Sequence, residues 1–163
     1  MKLSIGNRMF QAVQRMVSGQ KPARRIPVAL PLEFAIVVHG PGAGEQRSRR
    51  VGGVATDLSL TGLAIETRTI HIGRKHILQS ADMATRQQLE ISLELGGRLL
   101  TFEGIPLRYE RRAVGTGNYV VGIHITGMRE QDRAFYAEYL DMLQQGPATR
   151  ARDGVLALAR REA

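Results

Sequence analysis

Hydrophobic and polar positions alternate most cleanly at 89–95, where Leu89, Ile91, Leu93 and Leu95 are separated by Glu90, Ser92 and Glu94. A period of two places the apolar set on one face of an extended chain and predicts a strand with one buried side. Looser alternation, partly β-branched, predicts further strands at 32–39, 49–56, 63–67, 99–110 and 119–126. Gly96-Gly97 lies between two of these runs and reads as a tight hairpin turn, and 111–118 reads as a second hairpin loop. The segment 40–45, with Gly40-Pro41-Gly42, reads as a loop. Six strands at hairpin spacing predict a mainly β, antiparallel fold, a barrel or a sandwich.

The period changes to a helical one at both ends. Ile5, Met9, Val13, Met16 and Val17 recur at helical spacing, and Gly19 closes an N-terminal helix over 1–19. Near the C-terminus, 129–144 predicts a helix with Phe135, Tyr139 and Leu143 on one stripe and Tyr136, Leu140 and Met142 beside it. Gly146-Pro147 stops that helix, and a basic tail over 146–163 is expected to be flexible. Between the first helix and the first strand, Pro22, Pro27 and Pro31 prevent a helix and stiffen a basic connector over 20–31. The stretch 71–88 breaks the strand rhythm and reads as an insertion, with Ser80 capping a short helix that runs to about Arg86.

Composition narrows the function classes. The chain of 163 residues suits one domain with extra terminal segments, and with 43% hydrophobic residues it has enough apolar side chains for a core. No cysteine is present, which excludes disulfides and thiolate metal sites. No apolar run approaches the length of a membrane span, and the N-terminus lacks the apolar core of a secretory signal, so a cytoplasmic protein is expected. Lys and Arg number 23 against 15 Asp and Glu, a net charge of +8 that favours anionic partners. Aromatic residues are only 5% and Trp is absent, which argues against single-stranded nucleic acid, whose bases need stacking platforms. His71, His76 and Asp82 lack a metal-ligand spacing, and the glycines of 40–44 lead into no phosphate-cradling helix. No nucleophile–base–acid set is visible, so an enzyme, a metal and a bound cofactor are not expected.

Two stretches carry candidate chemistry. Asp57-Leu58-Ser59-Leu60-Thr61-Gly62 lies between two predicted strands. On an extended chain Asp57 and Ser59 point the same way and offer a carboxylate and a hydroxyl. Gly62 permits a close backbone approach that a Cβ would block. Thirty residues upstream, Lys21, Arg24 and Arg25 ride on the connector. Arg binds phosphates and guanine edges through two parallel hydrogen bonds.

In this order the chain resembles the PilZ family. The family pattern is R-x-x-x-R before the first strand, D/N-x-S-x-x-G after the second, a final Gly-hydrophobic strand and a helix. The matching pieces are Arg25-Ile26-Pro27-Val28, Asp57-Leu58-Ser59-Leu60-Thr61-Gly62-Leu63, Tyr119-Val120-Val121-Gly122-Ile123-His124-Ile125, and the helix reaching Phe135 and Tyr139-Leu140. The likeness spans about residues 21–143. It implies a six-stranded antiparallel β-barrel that binds the bacterial second messenger cyclic di-GMP. Lys21, Arg24, Arg25, Asp57, Ser59 and Gly62 are then the expected ligand-binding residues. It further implies a connector that rearranges on binding and signals to a protein partner. One position departs from the pattern: the first Arg of R-x-x-x-R is Lys21, which keeps the charge and loses the planar fork. Weaker binding, of one ligand rather than a stacked pair, is the expected consequence. The alternative is a degenerate PilZ-like interaction module that binds no nucleotide.

Overall fold

The computed structural model describes residues 23–42, 44–78, 86–113 and 117–159, with side chains as far as Gly146. Nine strands are present among them: β1 (Ile26–Gly40), β2 (Gly44–Arg47), β3 (Val51–Leu58), β4 (Gly62–Thr67), β5 (His71–Ile72), β6 (Lys75–His76), β7 (Arg86–Leu95), β8 (Arg98–Arg111) and β9 (Tyr119–Met128). One helix, α1, spans Glu130–Ala159. The expected N-terminal helix and Lys21 lie outside the described residues.

Strand order in the main sheet is β2-β1-β3-β4-β9-β8-β7, and β1 also pairs with β7. Six antiparallel strands therefore close into a ring, with the short β2 hairpinned onto β1. Closure depends on the length of β1. Its first half, from Ile26 to Phe34, pairs with β3, and its second half, from Leu32 to His39, pairs with β7. Phe34, Ile36, Ala55, Leu63, Ile65, Leu89, Ile91, Leu93, Phe102, Val121 and Ile123 fill the interior and are almost fully buried. In β7 every second residue from Leu89 to Leu93 belongs to this set, as its alternation requires, and Leu95 beyond them is buried as well.

Three boundaries differ from the sequence expectation. β1 begins at Ile26 rather than after Pro31, so the connector narrows to the residues before it. Pro27 and Pro31 are tolerated because this half of β1 is laddered chiefly to β3, and a register shift between Pro27 and Leu30 loosens the pairing. The loop expected at 40–45 closes sooner, because Gly44 pairs back with Gly40 and opens β2. The insertion, expected only to break the strand rhythm, begins with a β-hairpin. His71 pairs with His76, and Gly73 turns the chain at a φ of 64°. Ile70, Ile72 and Ile77 are buried in the core, while Gln87 donates to the carbonyls of His76 and Ile77. This hairpin plugs one end of the ring. Arg86, where a helix was expected to end, starts β7, and the segment around Ser80 lies outside the described residues. Burial and the neighbouring His71 lower the pKa of His76, whose Nδ1 accepts the Leu78 amide at 3.0 Å.

α1 covers the other end. Tyr136 and Leu140 are its buried apolar residues, and Phe135, Tyr139 and Leu143 are half-buried beside them, so the buried stripe is offset by one position from the expected one. Phe135 and Tyr139 pack against Gly96, whose φ of 56°, followed by 78° at Gly97, makes the two-residue turn joining β7 to β8. Gly146, with φ 63° and ψ 171°, breaks the helix where a stop was expected. The backbone is helical again from there to Ala159, in the stretch expected to be a flexible tail.

Asp132, in the first turn of α1, is 2% exposed and receives Arg98 Nη2 at 2.6 Å and Arg129 Nε at 3.0 Å. Asp132→Ala removes a twice-bonded carboxylate that ties the helix to β8. A loss of about 1.5–3 kcal/mol is expected, moderated because both arginines reach water. Urea unfolding of the variant against wild type measures it.

Candidate ligand-binding site

The β3–β4 connection is a turn built by its own residues. Ser59 N donates to Gly62 O at 2.8 Å. The Ser59 hydroxyl donates to the same carbonyl at 3.0 Å and accepts the Gly62 amide at 3.1 Å. Ser59 is thus buried and its hydroxyl is engaged within the turn. Asp57 and Ser59 do not share one open face, because Asp57 is partly exposed and Ser59 is buried. Serine favours such turns for this reason: its side chain replaces a backbone partner.

Gly62 meets a different demand. A Cβ built there would lie 2.4 Å from Ile123 O. β4 and β9 pair from Gly62 opposite His124 onward, and Ile125 N donates to Thr61 O at 2.9 Å. Only glycine lets the turn lie this close to β9. The turn is also held from the helix side: the Tyr136 hydroxyl donates to Ser59 O at 2.9 Å. Burial, and then the charge of Asp57, push the Tyr136 phenol well above its ordinary pKa. The phenol therefore stays a donor throughout the physiological range.

Strand register brings the second stretch to the first. Pro27 on β1 lies opposite Asp57 on β3, so the residues entering β1 pass beside Asp57. Arg25 Nη1 reaches Asp57 Oδ1 at 3.2 Å and Oδ2 at 3.4 Å, across 32 residues of sequence. One nitrogen straddles both oxygens, so the fork of the guanidinium is not used in full. The side chains are 56% and 24% exposed. Such a pair contributes about 0–1 kcal/mol, so an incoming ligand can replace it at little cost. Arg24 is exposed beside it. Of the six expected residues, Arg25 and Asp57 are in contact and Ser59 and Gly62 form the adjoining turn. Arg24 flanks the pair, and Lys21 lies outside the described residues.

Register also adds residues that no local motif marks. Leu58, Leu63, Ile65, Val121 and Ile123 point into the core. Their neighbours Asp57, Ala64 and Gly122 consequently face outward. Asp57 pairs with Ala64, Ala64 with Gly122, and Gly122 with Arg108. This row therefore holds two small residues between an acid at one end and a cation at the other, with Ala64 covered at 4% exposure. Arg108 lies along the row, since a Cβ on Gly122 would meet its Cγ at 3.4 Å and its Nε at 3.5 Å. Next along the strands, Glu66 is held by Arg112 and by Asn118 Nδ2, the latter at 2.7 Å.

No protein-family profile and no curated protein matches the sequence. Solved structures do match the fold. The PilZ domain of YcgR from Escherichia coli, solved with c-di-GMP, aligns with a TM-score of 0.52 at 14% identity, covering 82% of this chain and 98% of that one. MrkH, described as a c-di-GMP-dependent transcription regulatory factor, aligns with a TM-score of 0.50 at 14% identity, covering 78% of this chain and 52% of that one. The PilZ domain of CeSA from a cellulose-synthesizing bacterium aligns with a TM-score of 0.46 at 20% identity, over 75% of this chain and 99% of that one. At these identities the likeness is one of fold.

Proposed function

We propose, from the PilZ-like fold that this chain has, that it is a cyclic di-GMP receptor or adaptor whose connector responds to the nucleotide. The observation that carries this reading is the Arg25–Asp57 pair. Guanine presents O6 and N7 to a forked guanidinium and N–H donors to a carboxylate. Arg25 and Asp57 supply both groups, already adjacent and weakly joined. The phosphates take the cations of the connector, Lys21 and Arg24. Ser59 and Gly62 act here by fixing the turn that holds Asp57 in place. This assigns Ser59 a positioning role and leaves the direct contacts to its neighbours.

Binding that draws Arg25 off Asp57 alters the segment directly preceding β1. Residues 1–25 are then the part that reports occupancy to a protein partner. The reading is of a ligand-binding regulator in the cytoplasm, not an enzyme. No helix among the described residues is long and apolar enough to cross a membrane.

Calorimetric titration with cyclic di-GMP, with GTP as control, tests the proposal. Wild type is expected to bind at micromolar concentration or tighter. Arg25→Ala and Asp57→Ala should each weaken binding by about tenfold to a hundredfold, the worth of a lost bidentate contact of about 1–3 kcal/mol. Lys21→Arg should tighten it. Absence of binding by the wild-type chain at high ligand concentration would overturn the receptor reading and leave a PilZ-like interaction module in its place.

A further inference from the structure

We infer that Arg108 is a ligand-contacting residue of this site, the cation for the part of a cyclic dinucleotide that lies farthest from Arg25. The inference rests on the receptor reading above and adds a residue that belongs to neither of the two sequence motifs. The register carries it. Asp57, Ala64, Gly122 and Arg108 occupy one cross-strand row on the outer face, on β3, β4, β9 and β8 in turn. Three strand spacings separate the two ends, about 14 Å, a span suited to a flat ligand with two bases. Between the ends the row itself carries only a methyl group and a hydrogen, and the Ala64 methyl, 4% exposed, is covered by the side chains beside it.

The position of Arg108 fits that role in two further ways. Its stem runs over Gly122 instead of standing away from the sheet. A guanidinium held low against the sheet can stack on a purine face or turn its fork to a phosphate. The side chain is also exposed and makes no ion pair among the described residues. Two acids share this face: Glu110, two residues along β8, makes no ion pair with Arg108, and Glu66 is already bonded by Arg112 and Asn118. Arg25 is partly neutralised by Asp57, whereas Arg108 is not, so an anionic group gains more at the Arg108 end.

The experiment is titration of the full chain with cyclic di-GMP, comparing wild type, Arg108→Ala, Arg108→Lys and Arg74→Ala. Arg74 is an exposed residue of the β5–β6 hairpin, and its removal takes away the same charge elsewhere. Arg108→Ala should weaken binding about tenfold or more while Arg74→Ala stays within about twofold. Arg108→Lys, which keeps the stem over Gly122 and the charge but not the plane, should fall between. Thermal melts should coincide, since the residue is at the surface. Equal affinities for wild type and Arg108→Ala would overturn the inference and leave the receptor reading intact. Equal losses in Arg108→Ala and Arg74→Ala would also overturn it, in favour of general electrostatic attraction. A wild-type chain that binds nothing would overturn both.

Discussion

Gly62→Ala is expected to destabilise the protein by about 3 kcal/mol or more, the range reached when overpacking cannot relax. The added methyl would meet Ile123 O at 2.4 Å. A flexible side chain could swing aside, but a backbone carbonyl cannot move without its strand. Separating β4 from β9 there breaks the pairing of Gly62 with His124 and the bond from Ile125 N to Thr61 O. Gly62→Val should be worse. Urea unfolding midpoints measure the loss, with Gly52→Ala as control, because a Cβ at Gly52 meets nothing within 4 Å. The control should lie within about 0.5 kcal/mol of wild type. Ligand binding by Gly62→Ala should fail along with the fold, which separates this residue from Arg25, whose loss should leave the melt nearly unchanged.

Tyr136→Ala is expected to cost about 3–5 kcal/mol, the usual range for removing a buried aromatic ring. Tyr136 is 2% exposed, packs against Phe102 with ring centroids 6.3 Å apart, and donates to Ser59 O. Tyr136→Phe keeps the ring and removes only the hydrogen bond, for about 1–2 kcal/mol. The difference between the two variants measures how firmly α1 holds the turn that positions Asp57. Alkaline pH gives an independent check. Because the folded state raises the phenol pKa above the unfolded value of 10.0, the unfolded chain releases this proton first. Its contribution to stability is therefore complete below pH 10.0 and is lost as pH rises above it, at up to about 1.4 kcal/mol per pH unit. Tyr136→Phe should show a shallower alkaline loss than wild type.

Both variants test how the turn beside Asp57 is fixed from elsewhere in the fold. Gly62 sets the distance from the turn to β9, Ser59 shapes the turn, and Tyr136 pins its carbonyl. Asp57 is thus presented by a rigid support, while Arg25 enters on the segment before β1 and is held only by an exposed ion pair. That asymmetry, one rigid partner and one releasable partner, is what the proposed signalling requires.

The sequence by itself determined what is local. The alternation of 89–95, the Gly96-Gly97 turn, the stop at Gly146 and a helix with an apolar side after residue 129 each follow from a period or from one residue's backbone preference, and each is present, the helix with its buried stripe one position from the expected one. The D-x-S-x-x-G stretch was also legible, down to the need for glycine at 62. The bonds of the Ser59 hydroxyl to Gly62 were not, because they depend on how the turn folds back on itself. Tertiary structure alone decided the rest. The closure of the ring through β1 and β7, the start of that strand at Ile26, and the plug made by Ile70, Ile72 and Ile77 all depend on partners distant in sequence. So does the row from Asp57 to Arg108. Register is a relation between strands, and a shift of one residue would turn every one of these side chains to the opposite face without altering any local pattern.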